Sequence, residues 1–170
     1  MSKISKATFS DIEELNTLIN SAYRGDSAKK GWTHEADILT GIRIDSEELE
    51  KIIRKESSAI LKYSTDKRID ACVFLDHQDQ ELYLGMLTVS PTKQGMGIGK
   101  KLMHAAEIYA RTLQCNKIKM TVISIRHELI AWYQRHGYCD AGERIPFQEW
   151  GKFGIPSIPL DFIVMKKDIV

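Results

Sequence analysis

Apolar residues recur at helical spacing in four stretches of this chain, and runs with strand character lie between them. Ile12, Leu15, Leu18, Ile19, Ala22 and Tyr23 share one helical face, which predicts a first helix to about Tyr23. Ser10-Asp11-Ile12-Glu13 in front of it has the form of a capping box with Ser10 as N-cap. Asp45-Ser46-Glu47-Glu48 opens a second helix that buries Leu49, Ile52 and Ile53. Ile98, Leu102, Ala105, Ala106, Tyr109 and Leu113 give a third. A fourth, His127 to His136, places Leu129, Ile130 and Tyr133 together and stops at Gly137. Strands are expected at Ile4 to Thr8, Ser58 to Tyr63, Ala71 to Leu75, Leu82 to Val89, Lys117 to Ile125, Tyr138 to Gly142 and Leu160 to Met165. Short polar turns between the second, third and fourth of these predict an antiparallel meander. Arg24 to Thr40 is polar and broken by Gly25 and Gly31, so it reads as a loop with a short helix near Ala36 to Leu39. The order β, α, α, β, β, β, α, β, α, β, β is mixed α/β with an antiparallel centre, unlike the strict alternation of a doubly wound nucleotide-binding sheet.

The strand ending at Val89 breaks into Gln94-Gly95-Met96-Gly97-Ile98-Gly99-Lys100 and then into the third helix. A glycine-rich turn opening a helix bares backbone N–H groups beside a positive dipole end, which suits a phosphorylated ligand. Glycines allow the backbone to come close to it. The turn is not a Walker A loop, because three residues rather than four separate Gly95 from Gly99, and Lys101 replaces the hydroxyl residue that would hold Mg²⁺. It is not a dinucleotide fingerprint either, because Gly95-x-Gly97-x-Gly99 has the wrong spacing.

The 170 residues are expected to form one domain, 1–170, with enough chain to bury a core unaided. A formal net charge of +1 creates no field that would draw nucleic acid or an anionic membrane. No apolar run reaches the roughly 20 residues of a transmembrane helix, and the N-terminus lacks a signal-peptide core. Cys72, Cys115 and Cys139 have neither disulfide nor metal-ligand spacing, which predicts reduced thiols in a cytoplasmic protein without a metal.

Gln94-x-x-Gly97-x-Gly99 matches the [R/Q]-x-x-G-x-[G/A] segment of the GCN5-related N-acetyltransferase (GNAT) family. Leu87-Thr88-Val89-Ser90-Pro91 before it resembles that family's fourth strand, which ends V-x-P. Ala131-Trp132-Tyr133-Gln134-Arg135-His136-Gly137-Tyr138 after it is similar to the family's LYEKLGF segment. The joint spacing and the element order extend the resemblance over nearly the whole chain. It implies a mostly antiparallel sheet of about seven strands, splayed between the family's fourth and fifth strands and flanked by about four helices.

The resemblance further implies an acyltransferase that moves an acetyl group directly from acetyl-CoA to an amine. The N–H groups of Gln94, Gly95, Met96, Gly97, Ile98, Gly99 and Lys100 would hold the CoA diphosphate. Leu87, Thr88 and Val89 would offer backbone groups to the pantetheine arm and the thioester carbonyl. Tyr133 matches the tyrosine that protonates the departing thiolate, whereas on an isolated amphipathic helix it would read as a packing aromatic. The family's strand-borne glutamate base has Tyr83 at its position, with Glu81 two residues earlier on the same face, so Glu81 is a candidate base and a solvated charge is its alternative. An asparagine that often contacts CoA is replaced by Arg126, which would contact CoA or an acceptor carboxylate. On the acceptor side, Trp32, Glu35 and Tyr83 are candidates, with His34 and Asp37 near them and Phe147, Trp150 and Phe153 as a second wall. The resemblance implies a small-molecule or peptide amine as acceptor, in a protein that would be a monomer or homodimer. A non-catalytic acyl-CoA-binding module of the same fold is the alternative, against which Tyr133 argues.

Overall fold

A computed structural model describes residues 1–24, 28–148 and 151–170. Its strands are β1 (Ser2–Lys6), β2 (Leu39–Thr40), β3 (Ser58–Thr65), β4 (Arg68–Gln78), β5 (Glu81–Val89), β6 (Lys117–Ile123), β7 (Cys139–Pro146), β8 (Ile155–Pro156) and β9 (Asp161–Asp168). Among the described residues its α-helices are α1 (Ile12–Tyr23), α2 (Ser46–Arg54), α3 (Ile98–Thr112) and α4 (His127–Arg135). Seven strands form one sheet in the order β1-β3-β4-β5-β6-β9-β7, in which only β5 and β6 are parallel neighbours. The architecture is therefore the mixed, mostly antiparallel α/β sheet that the sequence predicts.

The sheet buries both faces. Leu61, Val73, Leu75, Leu82, Leu84 and Ile118 pack against Ile98, Leu102, Met103 and Ala106 of α3 and Tyr133 of α4. Ile60, Ile69, Cys72 and Met86 pack on the other face against Leu15, Leu18 and Ile19 of α1 and Leu49 of α2. Alternation along β4 serves both cores, with Ala71, Val73 and Leu75 on one side and Cys72 on the other. Residue 36 to 38 form turns rather than the expected short helix, and Leu39–Thr40 instead pairs antiparallel with β8. Helix α1 is preceded by a 3-10 turn, Phe9–Asp11, in which the Asp11 carboxylate accepts from Thr8 N at 2.8 Å, so the entry is capped two residues earlier than Ser10-Glu13 suggests. Helix α2 is capped as expected, with Asp45 Oδ1 accepting from Glu48 N at 2.9 Å.

The pairing of β5 changes along its length. With β6 it pairs only at Glu81↔Lys117, Leu82↔Ile118 and Tyr83↔Lys119, and then the strands part. With β4 it continues to Ala71↔Val89. Beyond Tyr83, the β6-facing edge of β5 thus has no strand partner among the described residues. Cys72 pairs with Thr88 and Phe74 with Gly85, which leaves Met86 and Leu87 together opposite Val73. This is a β-bulge, with Met86 at a φ of 46°. It turns Met86 into the α1 core and directs Leu87 and Val89 to the α3 side, where they pack on the other core.

One buried charge sets an acid limit on the fold. Asp76 accepts from Ser57 Oγ and Ser58 Oγ at 2.8 Å each, Lys55 Nζ at 3.0 Å and Gln78 Nε2 at 3.2 Å. Burial opposes its ionisation, but these donors outweigh it and lower its pKa from 3.8 to about 2. A folded value below the unfolded one means that ionised Asp76 stabilises the fold above pH ~4 and loses that contribution as the pH falls toward ~2, about 2 kcal/mol in all. Urea midpoints measured from pH 7 to pH 2.5 should therefore fall less steeply for Asp76→Asn than for the parent chain. An unchanged acid slope would remove Asp76 from this role.

Candidate active site

The splay between β5 and β6 leaves two cavities that meet inside the sheet. The first is about 500 Å³ and lies over the glycine turn and α4. The second, about 100 Å³, opens between β5 and β6. Tyr23, Leu87, Leu129 and Tyr133 line both, so they form the wall where the contents of the two cavities would touch.

The first cavity is built to hold an anion. Its floor is Gly95, Gly97, Ile98, Gly99 and Lys100, and Lys93, Arg135 and His136 stand at its edge, with no carboxylate in the lining among the described residues. Gly95 and Gly97 have φ of 82° and 77°, and a Cβ on either would meet nothing within 4 Å, so both leave open approach to the backbone. The N-cap of α3 is Gly97 itself, with no side-chain cap. The first helical hydrogen bond runs from Lys101 N to Gly97 O at 3.2 Å, which leaves the N–H groups of Ile98, Gly99 and Lys100 without an intrahelical acceptor. An uncapped helix start facing a cation-rimmed cavity fits a diphosphate held without metal. Gly97→Val would strain the left-handed backbone and place a branched side chain in that space. CoA affinity measured by calorimetry should fall about tenfold or more, since left-handed strain alone is worth roughly 1–2 kcal/mol. An unchanged affinity would exclude this turn as an anion site.

Gln94 and Trp32, both candidates from the sequence, also line the first cavity. Gln94 uses its side chain as a clasp: Oε1 accepts from Trp32 N at 2.9 Å, while Nε2 donates to Thr33 Oγ1 at 3.0 Å and Val89 O at 3.3 Å. Gly31 lies against it so closely that a Cβ there would come within 2.6 Å of Oε1. The clasp ties the loop after α1 to the glycine turn. Trp32 then meets Trp132 edge to face at 6.3 Å, and Trp132 also packs against Tyr133 at 5.2 Å and His136 at 4.3 Å. Trp32 therefore lies over the first cavity rather than the second.

Tyr133 is buried on α4, and among the described residues its hydroxyl has no hydrogen-bond partner. Burial raises its pKa well above that of a free phenol, the neighbouring Tyr23 phenol adds to the rise, and Arg126 counters part of it. The hydroxyl thus stays protonated at any physiological pH. Tyr23 donates to Leu87 O at 2.6 Å and, also through burial, is pushed up to about 12. That bond fixes the bulged strand to α1, a role for Tyr23 with no motif to announce it.

The second cavity holds Glu35, Tyr83 and Arg126, with Arg43, Thr121, Phe147 and Phe162 beside them. Tyr83 and Thr121 share a hydroxyl hydrogen bond of 3.0 Å across the splay. Arg24 Nε donates to Glu35 Oε2 at 3.1 Å, and Glu35 N donates to Tyr23 O at 2.8 Å. Arg126 stands on this cavity and not on the first, so it is apart from the glycine turn. Glu81 lines neither cavity. It sits where β5 and β6 are still paired, and its carboxylate takes Lys166 Nζ at 2.6 Å. The Thr88 side chain turns to the α1 side, donating to Met86 O at 2.9 Å, and Met96 is exposed, so each can serve a ligand only through its backbone. Lys101 turns toward the Tyr63 ring, and exposed Asp37 pairs with Lys29 at 3.5 Å. Phe147 stacks on Phe162, whereas Phe153 lines a different groove. Trp150, and residues 25–27 of the loop after α1, lie outside the described residues. Among the described residues, no group of His, Cys, Asp and Glu could hold a metal, and no helix is long and apolar enough to cross a membrane.

A seven-stranded sheet parted at its one parallel pair, with an uncapped glycine turn beside the gap, defines an acetyltransferase-type fold. Residues 12–138 match the family model for the acetyltransferase (GNAT) family. The chain belongs to that family. No curated relative matches it. Solved structures share its fold at low identity. The ribosomal-protein-S18-alanine N-acetyltransferase from Escherichia coli is 15% identical with a TM-score of 0.75, over 99% of this chain and 94% of that one. An N-acetyltransferase from Staphylococcus aureus Mu50 is 13% identical with a TM-score of 0.76, over 99% and 98%. The PaiA N-acetyltransferase from Thermoplasma acidophilum, in complex with coenzyme A, is 16% identical with a TM-score of 0.71, over 99% of each chain.

Proposed function

We propose that residues 1–170 work as one cytoplasmic acetyl-CoA-dependent N-acetyltransferase, with CoA in the first cavity and an amine in the second. The observation that carries this reading is the shared wall of Tyr23, Leu87, Leu129 and Tyr133, which joins an anion cradle to a smaller pocket at a protonated phenol. Bound acetyl-CoA supplies an activated acyl group as a thioester. The glycine-turn amides hold its diphosphate, and the unpaired edge of β5 beyond Tyr83 guides its arm inward. A backbone N–H in the Leu87–Val89 stretch polarises the thioester carbonyl.

The amine nitrogen attacks the carbonyl carbon. A C–N bond forms, the C–S bond breaks, and the electron pair leaves on sulfur. Tyr133 gives that sulfur its proton and regains one released by the amine. Burial that makes the phenol a poor acid also makes an unsolvated thiolate a strong base, so the same desolvation drives the transfer. The ammonium first gives up its proton to water, and Glu35, already bonded to Arg24, borders the amine site. CoA thiol release across a panel of amines tests the reading. CoA binding without thiol release from any amine would leave a binding module and no enzyme.

A further inference from the structure

The second cavity carries more positive charge than its own residues neutralise. Glu35 is committed to Arg24, whose side chain is only 3% exposed and whose Nη1 also donates to Thr40 O and Ile42 O, both at 3.3 Å. Arg43 and Arg126 line the same cavity, and among the described residues neither guanidinium has a carboxylate partner or a side-chain hydrogen bond. Arg43 lies over the Tyr23 ring at 5.7 Å, which orients it without discharging it. Arg126 is half-buried at the start of α4, seven positions before Tyr133. Both guanidiniums act on the Tyr23 phenol, and Arg126 also acts on that of Tyr133. They are therefore close to the wall where acyl transfer would occur. Leaving two guanidiniums partly desolvated and unpaired is costly unless an anion arrives to meet them. The remaining lining is mostly apolar, with Leu39, Met120, Tyr83 and Phe147 among it, and the volume is only about 100 Å³.

We propose that the acceptor is a small amine that also bears a carboxylate, an amino acid in chemical class, held with its carboxylate on Arg43 and Arg126 and its amine toward Tyr133. This deepens the acetyltransferase reading and rests on it. A polyamine or a multiply cationic sugar would bring further positive charge to two uncompensated guanidiniums, and a polypeptide carries an uncharged amide where its first residue would need a carboxylate.

The test uses the full-length protein with the common amino acids, each beside its amide and its decarboxylated amine, together with spermidine and a hexapeptide. Binding to the CoA-loaded protein is followed by calorimetry and turnover by CoA thiol release. At least one amino acid should bind and turn over about tenfold or more better than its amide. Arg43→Met and Arg126→Met should each raise its KM about 10- to 100-fold, the worth of a charge-assisted hydrogen bond, and narrow the preference over the amide. CoA affinity should be unchanged, and Arg126→Lys should recover part of the loss. Equal or better use of every amide, of spermidine or of the hexapeptide would overturn the proposal while leaving acetyl transfer intact. So would arginine variants that weaken acid and amide alike. If no amine released thiol, acetyl transfer itself would fall, and the binding preference would still decide whether the cavity takes a carboxylate.

Discussion

Tyr133→Phe should lower turnover by about 10²- to 10⁴-fold at neutral pH, the range expected when a positioned general acid is removed. The substitution deletes one oxygen from a buried side chain, and among the described residues that hydroxyl has no protein partner to be left unsatisfied. The aromatic contacts with Trp132 and Tyr138 persist in phenylalanine. Melting temperature should therefore hold, and CoA affinity should stay within a few-fold. Loss in kcat and in kcat/KM should be similar, because the proton is delivered only in the transition state. Rapid-mixing measurement of thiol release, paired with calorimetric CoA binding, separates the cases. A large loss of CoA affinity with little change in kcat would make Tyr133 a packing residue.

The second large effect concerns the fold that holds the glycine turn. Leu102→Ala should destabilise the protein by about 2–5 kcal/mol, because a fully buried leucine loses both its transfer energy and the packing around it. Leu102 is 0% exposed and sits in the core between α3 and the sheet, one turn beyond Ile98. For a chain of this length, the melting temperature should drop by roughly 4–20 °C. Far below that transition, CoA affinity should change little, because Leu102 faces the core and the proposed diphosphate site is backbone. A drop under 2 °C would mean that the helix can collapse into the space left behind.

Much of this architecture could be read before any coordinates. Helix faces such as Leu15, Leu18 and Ile19 buried as their spacing required, and the meander of β3, β4 and β5 followed from short polar turns. The glycine turn was legible because backbone chemistry forces the residue type. What escaped has a common cause: it depends on side chains that meet across long sequence separations. Gln94 reads as a motif letter, yet its amide grips Trp32 and Thr33 some sixty residues away. Arg43 lies in a segment without periodicity, so nothing marks it as a cavity residue. Glu81 shares a face with Tyr83, but alternation says nothing about where two strands part, and it stays on the paired side. The bulge does leave a mark in the sequence. Met86 and Leu87 are adjacent apolar residues in a strand that otherwise alternates, and that break in period is the bulge.

The bulge makes β5 a counting device. Side chains of a strand change face at every residue, so one additional residue exchanges the two faces for everything downstream. Upstream, Leu82 and Leu84 build the α3 core, and downstream Leu87 and Val89 take that side while Met86 goes to the opposite core. A deletion or insertion of one residue between Leu84 and Val89 would send Thr88 into the groove and bury Val89 where Thr88 now lies, even with every side chain kept. Substitutions in this stretch alter the groove by degrees, whereas a change of length by one inverts it. Its parity is fixed more tightly than its composition.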